Sequence, residues 1–454
     1  MKPHVLTLIC GVILTGGVAA DSLTLTADQA VELSLRNNLS LKADDLALQA
    51  KKRSNDFVWN AFVPKVTVAG ALTRLNEGIQ NPLSFLQGAG TGLPDALFEN
   101  PPNFWIASGQ LTAQLNLSLA LLDGIRHVSL DYQSSVLQHD TARRQLVRDT
   151  KKAFYNLLLM KESIATFEAQ LETAQKRYEQ EQRNFQTGLG SEFAVLSAQV
   201  DMENMKPALD EMNIGLKTAE LSFRLLLGVD QDQELNLTGS VEPQDVVVDQ
   251  GRLAAEALEH NGDLSALRKA IEIQKNLRNA KADLTYLPVL GLSYTADPAF
   301  QEDPFKNSLF ANASTNWRQT NGAVSLSLSM SLDGLLPFSD TGVQLANMDS
   351  GIAQLETNLK AASQGTEARI AGLVMQLQKS QSSIQKLGLN VDLATRAYQM
   401  AEKGYTSGAY DLLQVEDADN KLRESKLSVL QEKFSYLSSL FDLEYETNQT
   451  LMVK

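Results

Sequence analysis

The chain has 454 residues, of which 43% are hydrophobic and 21% charged, and its formal net charge is −14. This acidic balance argues against a nucleic-acid-binding protein, because affinity for phosphates comes mainly from lysine and arginine. No stretch after the first 20 residues is long and apolar enough for a transmembrane helix, so we expect none in the mature protein.

The N-terminal segment, residues 1–20, has the pattern of a secretory signal peptide. A short polar start with Lys2 precedes an apolar region at residues 5–14 and a small-residue cleavage site at residues 18–20. The only cysteine, Cys10, lies inside the apolar region, so the mature chain is expected to have neither disulfides nor thiolate chemistry. Export without disulfides favours a protein of the bacterial envelope.

Hydrophobic periodicity predicts five elements in the first half, residues 21–228. In chain order these are a helix at 27–57, a strand pair at 62–74 and 110–121, a long helix at 123–183 and, after a turn near residue 188, a helix at 191–227. About 60 residues at 1.5 Å per residue make the long helix roughly 90 Å, which is typical of a coiled coil or a helical tube. Pro207 is expected to kink or split the last helix.

A connector at residues 229–250 leads into a second half, residues 251–454, with the same pattern. Its elements are a helix at 253–283, a strand pair at 286–296 and 322–332, a long helix at 342–403 and, after a turn near residue 408, a helix at 411–447. Loops at 76–107 and 297–320 connect the strands of each pair. We interpret the chain as one unit written twice.

The four predicted strands alternate between large apolar and small or polar residues. Each has about 9 to 11 residues, which is the length of a tilted strand that crosses a bilayer, and aromatic residues lie near the strand ends. The pattern favours a water-filled membrane barrel over its alternative, a hairpin layer on a soluble core. Four strands cannot close a barrel, because the smallest transmembrane barrels use about eight. Several copies of the chain must therefore contribute to one barrel.

Catalytic and metal-binding patterns are missing from the sequence. The three mature histidines, His127, His139 and His260, do not have metal-ligand spacing. We expect no cofactor and no enzymatic activity. Carboxylates such as Glu172, Glu179 and Glu181 are expected on the solvated face of a helix.

Several of these features together resemble the TolC family of outer-membrane efflux proteins. They are the signal segment, the opening LTLTADQAVELSLRNNLSLK, two proline-marked strand pairs and two long helical hairpins, each with a turn of the form F/Y-x-x-G. The resemblance covers essentially the whole mature chain. It implies a mixed, mainly α fold: a homotrimer with a 12-stranded outer-membrane β-barrel, four strands per chain, continued by a long α-helical barrel in the periplasm.

The resemblance also implies the function. Such proteins are exit ducts of tripartite efflux or type I secretion systems, and a periplasmic adaptor connects them to an inner-membrane RND or ABC exporter that selects the cargo. The alternative from another class is a periplasmic or surface coiled-coil structural protein without a pore.

The second turn carries the residues that the resemblance implies for the periplasmic aperture. Tyr405 and Gly408 match the tyrosine and glycine of the family's turn, and Asp417 falls on an acidic aperture position. Gln414 replaces the other acid, and Tyr410 stands where an arginine can bridge to the neighbouring hairpin. We therefore expect no ion-pair lock, and closure through helix packing and the ring of Tyr405.

The first turn is expected to face the adaptor through Phe185, Gly188 and Ser191. On the view that only the ring of Tyr405 matters, Tyr405→Phe should loosen the aperture little and Tyr405→Ala more.

Overall fold

The computed structural model describes residues 23–74, 105–243, 246, 248–300, 317–318, 322–336 and 338–451. The predicted signal peptide, nearly all of the loop at 76–107 and most of the loop at 297–320 lie outside these residues. None of the described helices contains an 18-residue window apolar enough to cross a membrane.

The first half of the chain contains four strands and four helices among its described residues. In order they are β1 (Leu23–Leu25), α1 (Ala27–Asn37), α2 (Leu39–Asp56), β2 (Lys65–Arg74), β3 (Trp105–Leu117), α3 (Leu119–Gln186), α4 (Glu192–Leu227) and β4 (Leu235–Leu237). Helix α4 is continuous through Pro207, so the proline does not split the helix in two. Residues Val58–Phe62 form a 3-10 helix, so the first strand begins after Phe62 and not at it.

The second half follows the same order. Its elements are α5 (Gln250–His260), α6 (Gly262–Tyr286), β5 (Val289–Ala296), β6 (Ala299–Phe300), β7 (Trp317–Arg318), β8 (Gly322–Ser329), α7 (Asp340–Thr406) and α8 (Leu412–Thr447). The 67 residues of α7 and the 68 of α3 make both long helices somewhat longer than the expected ones.

An asparagine interrupts each helix that was expected to be continuous before the strands. The Oδ1 of Asn38 accepts a hydrogen bond from the Leu41 amide (3.0 Å), and its Nδ2 donates to the Leu226 carbonyl (2.9 Å). Asn261 does the same between α5 and α6: its Oδ1 accepts from the Leu264 amide (3.1 Å). The buried side chain thus caps the new helix, and this stabilises a break that periodicity alone does not reveal.

The chain forms two compact units. The helical unit comprises the described parts of Met1–Leu48, Val136–Ala266 and Leu359–Lys454, and the sheet unit comprises those of Gln49–Ser135 and Leu267–Asn358. The core of the helical unit packs α3, α4, α7 and α8 around buried aromatic and aliphatic side chains. Its largest fully buried members are Tyr436, Phe154, Phe223, Leu157, Leu227, Leu253, Leu264, Ile370 and Leu443. Strands β1 and β4 pair in parallel beside this core.

The sheet unit contains the four long strands in the order β2-β3-β5-β8, all antiparallel. The register places apolar residues of all four strands on one face. Val66 lies opposite Ala113, Ala113 opposite Tyr294, and Tyr294 opposite Val324. The other face carries small and polar residues, for example Ser293 opposite Ser325. The alternation of each strand therefore adds up to a two-faced sheet.

Candidate gate at the helix turns

The turns at Gly188 and Gly408 have the same backbone geometry. The Gly188 amide donates to the Phe185 carbonyl (3.0 Å), and the Gly408 amide donates to the Tyr405 carbonyl (2.9 Å). Both glycines are left-handed, with φ of 74° and 76°. A side chain is strained in this conformation, so glycine at these positions ends α3 and α7 sharply and lets the chain reverse.

Side-chain caps start the returning helices. The Ser191 hydroxyl accepts from the Ala194 amide (3.2 Å) at the start of α4. At the start of α8 the Asp411 carboxylate accepts from the Gln414 amide (2.9 Å), and the Gln414 side-chain oxygen accepts from the Asp411 amide (3.2 Å). This capping box explains a glutamine at position 414, where the resemblance implies an acid. We call α3 with α4 the first hairpin and α7 with α8 the second hairpin.

Tyr410 packs its ring over the end of α7. A Cβ at Gly404 would lie 2.3 Å from the Cδ2 atom of this ring, so the close approach requires glycine. The Tyr410 amide also donates to the Gly404 carbonyl (3.2 Å). Tyr410 therefore shapes the turn of its own hairpin in this subunit.

Tyr405 connects the two hairpins. Its hydroxyl donates a hydrogen bond to the Oε1 atom of Glu181 on α3. Glu181 is only 1% exposed, so the expectation that it lies on a solvated helix face is wrong. Glu172 and Glu179 on the same helix are exposed. A buried carboxylate needs hydrogen-bond donors, and the Tyr405 hydroxyl is one.

Further charged groups surround this hydrogen bond. Arg177 lies one turn before Glu181 on α3, and Glu416 and Asp419 on α8 interact electrostatically with it. The Nη1 of Arg177 and the Oε1 of Glu416 are buried and have no hydrogen-bond partner among the described residues. We call Arg177, Glu181, Tyr405, Glu416 and Asp419 the interhairpin cluster.

Burial raises the pKa values of Glu416, Asp419 and Tyr405, which favours the neutral forms of these three groups. It is the main cause that raises the pKa of Glu416, and the charge of Asp201 on α4 adds to it. It also raises the pKa of Asp419, against the opposing charge of Arg177. The pKa of Tyr405 is raised by burial and then by its hydrogen bond to Glu181, so the hydroxyl keeps its proton at all physiological pH values.

The remaining residues predicted from the sequence lie outside the cluster. The side chain of Asp417 is 61% exposed, and its carboxylate pairs with the Lys421 ammonium one turn later on α8 (2.5 Å). On the first turn Phe185 is exposed, and so are Leu189 and Phe193 beside it. The structure therefore brings Tyr405 together with Arg177 and Glu181, which the sequence analysis did not select as site residues.

Helical spacing contains the signal that would have identified them. Glu181 continues the inward-facing series Phe167, Leu171, Ala174 and Tyr178, with steps of three and four residues. Asp419 lies in the same way between Val415 and Leu422, both of which are buried. Such inward-facing positions are usually occupied by apolar residues. The side chain of an acid at one of them is directed towards the neighbouring helix.

Part of the sequence is similar to a known protein family. Residues 30–229 match the family model described as outer membrane efflux protein. A search of the curated proteins finds no match.

Solved structures of outer-membrane proteins share the fold over nearly the whole chain. The CmeC outer membrane channel of Campylobacter jejuni has 14% identity and a TM-score of 0.75, covering 94% of this chain and 86% of its own. VceC of Vibrio cholerae has 17% identity and a TM-score of 0.70, covering 93% and 96%. The open state of the MtrE outer membrane channel of Neisseria gonorrhoeae has 14% identity and a TM-score of 0.71, covering 93% and 89%.

The sequence match covers the first strand pair and the first hairpin, and the likeness in fold extends over the second half. Residues 30–229 thus match the outer membrane efflux protein family, and the chain as a whole shares the fold of solved outer-membrane channels.

Proposed function

We propose that three copies of this chain form one exit duct of a tripartite efflux or type I secretion system. The sheet unit of each copy contributes four strands to a 12-stranded barrel in the outer membrane, and the long helices line a channel in the periplasm. Residues 21–228 and 251–454 are the two internal repeats, with residues 229–250 as the connector. The equivalent turns at Gly188 and Gly408 and the equivalent helix breaks at Asn38 and Asn261 support this division.

The observation that carries the proposal is the exposed apolar face of the sheet. Val68 on β2 is 80% exposed and Leu326 on β8 is 70% exposed. In water, an exposed apolar face over four strands is unfavourable, because burial of apolar surface would stabilise the protein by about 25 cal/mol for each Å². It is favourable when lipid covers the face, while the serine-rich face lines an aqueous interior.

The edges of the sheet support the trimer. Strands β2 and β8 each pair with one long strand, β3 and β5 respectively, and their other edges have no partner among the described residues. Unpaired backbone amides and carbonyls are not tolerated in lipid. Pairing between β2 of one copy and β8 of the next satisfies both edges and closes a barrel.

The partners follow from the two turns. The first turn, with Phe185, Gly188 and Ser191, is the surface for a periplasmic adaptor, and its exposed Phe193 (80%) provides apolar area for such a contact. An inner-membrane RND or ABC exporter supplies the energy and selects the cargo. The chain by itself is the passive duct.

The second turn forms the aperture. Three copies of the exposed Asp417 would surround the axis and attract cations. Tyr405, Gly408, Tyr410 and Gln414 shape the turn that carries them, and the Tyr405–Glu181 hydrogen bond holds the second hairpin against the first.

A pair of lysine substitutions on neighbouring residues of β8 tests the barrel. Leu326→Lys places a charge on the apolar face, where a lysine near the bilayer midplane costs roughly 2–4 kcal/mol. Ser325→Lys places the same charge on the polar face. We expect Leu326→Lys to lower the amount of folded protein in outer-membrane fractions several-fold, and Ser325→Lys to leave it nearly unchanged.

Equal amounts of the two variants in the membrane would contradict the barrel and favour the alternative, a coiled-coil structural protein without a pore. Heat-modifiable migration in gels separates a folded barrel from unfolded protein in the same fractions.

A further inference from the structure

We propose that protons regulate the packing of the two hairpins within each subunit: protonated Glu416 and Asp419 hold the tip closed, and their ionisation loosens it. This inference rests on the proposed function, because it assigns a regulation to the aperture of the duct. The main support for the proposal is that the interhairpin cluster lies between α3, α4, α7 and α8.

The charges between the hairpins do not balance. The groups that act on Glu416, Asp419 and the tyrosines beside them come from all four helices. They are Arg177 and Glu181 on α3, Asp201 on α4, Tyr398, Glu402 and Tyr405 on α7, and Arg423 and Lys426 on α8. With Glu416 and Asp419 these are five carboxylates and three cations; without Glu402, which is exposed and acts only on Tyr398, four carboxylates still exceed the three cations. When all are ionised, net negative charge lies where the hairpins meet, and repulsion favours their separation.

The three cations cannot neutralise all the carboxylates, and Arg423 also contacts other side chains. Arg423 donates to the Asn420 side chain (2.6 Å) and lies over the Phe167 ring, 5.5 Å from its centroid. Arg177 is central, yet its buried Nη1 has no hydrogen-bond partner among the residues described. The buried Oε1 of Glu416 also lacks a partner there. An ionised carboxylate in this position is costly, and a proton removes the cost.

The direction of the pH dependence follows from the raised pKa values of Glu416 and Asp419. The packed hairpins bind these protons more tightly than separated hairpins do. Packing is therefore favoured at low pH, and this contribution is lost as the pH rises through the raised pKa values. The Tyr405 hydroxyl keeps its proton over the same range and remains a hydrogen-bond donor to Glu181.

Water can deliver the protons. Asp419 lines a surface groove together with Gln170, Thr173, Tyr398 and Lys426. Protonation of Asp419 from this groove then requires no prior opening of the hairpins.

The test uses the full-length protein in planar bilayers, with the pH on the periplasmic side stepped from about 5 to about 8. Wild-type channels should open more often as the pH rises. The double variant Glu416→Gln with Asp419→Asn mimics the protonated pair, so it should stay closed and lose the pH dependence. The matched control, Glu179→Gln with Glu424→Gln, removes two exposed carboxylates from α3 and α8 and should follow the wild type.

A distance measurement makes the test independent of conductance. Cys10, the only cysteine, lies in the expected signal peptide, so spin labels can be attached selectively at Gln186→Cys and Ser407→Cys, one on each turn. The distance between the labels in detergent-solubilised protein should lengthen with rising pH in the wild-type background and the control, and should stay constant in the double variant.

Two outcomes would overturn the inference: an unchanged distance in the wild-type background, or the same lengthening in the double variant. Absence of conductance at every pH, with the distance still responding, would instead contradict the proposed channel.

Discussion

At the scale of single residues, the bond between Tyr405 and Glu181 changes the expected role of the tyrosine. Tyr405 was selected because its turn matches a family pattern, and only its ring was expected to matter. The structure gives its hydroxyl a buried carboxylate partner on the other hairpin. Loss of a donor to a buried charged group costs about 1–3 kcal/mol, more than a surface contact of similar size.

Tyr405→Phe should therefore loosen the aperture measurably, because it leaves Glu181 buried without this donor. The expected result in planar bilayers is an open fraction about tenfold higher or more, consistent with a cost above roughly 1.4 kcal/mol. Tyr405→Ala should exceed it, since packing is lost as well.

Tyr178→Phe is the matched control for this substitution. Tyr178 lies on α3 one turn before Glu181, and its hydroxyl has no hydrogen bond within the described part of the chain. An open fraction in Tyr405→Phe equal to that of the wild type and of this control would show that the hydrogen bond does not hold the hairpins.

At the residue scale, the sequence identified only part of the candidate gate. Turn chemistry identified Tyr405 and Gly408, because an aromatic residue and a glycine at fixed spacing are local signals. It could not identify Glu181, since the partner is 224 residues away in the chain and only packing brings it close. The helical spacing of Glu181 is that of a buried position, but the sequence analysis assigned this carboxylate to the solvated face because it is charged.

At the scale of elements, each turn depends on local backbone chemistry more than on packing. Left-handed glycines end the long helices, and polar side chains cap the returning ones. These signals are short-range, so they can be recognised in the sequence without knowledge of the packing. The breaks at Asn38 and Asn261 were missed, because an asparagine inside an apolar-periodic stretch looks like an ordinary helical residue until its side chain finds a cap and a distant carbonyl.

Two glycines of α7, Gly404 and Gly388, have very different surroundings. A methyl group at Gly404 would meet the Tyr410 ring at 2.3 Å, whereas one at Gly388 would meet nothing within 4 Å. Gly404→Ala should displace Tyr410 and destabilise the second turn. Gly388→Ala should be neutral or stabilise the protein by up to about 1 kcal/mol, through helix propensity.

Limited proteolysis of the folded protein measures this difference at the turn itself. We expect faster cleavage near Lys403 in Gly404→Ala than in the wild type, and unchanged cleavage in Gly388→Ala. Identical cleavage of both variants would mean that the contact between Gly404 and Tyr410 does not support the turn.

At the scale of the whole molecule, the proposed membrane barrel depends on the two-faced sheet. The period-2 pattern predicted four strands with an apolar side. The register adds that the four apolar sides coincide, which a single strand cannot reveal. The strand ends were less well predicted: β3 begins at Trp105 and gives way to α3 at Leu119, because alternating and helical patterns overlap at leucine-rich junctions.

The most direct test of the account is the single-channel conductance of the purified full-length protein in planar bilayers, with its mass measured in the same detergent. We predict trimers that insert and give discrete conductance steps, which Asp417 makes favourable for cations. A monomeric protein, or a trimer that leaves the bilayer current unchanged, would contradict the claim that this chain forms an outer-membrane duct.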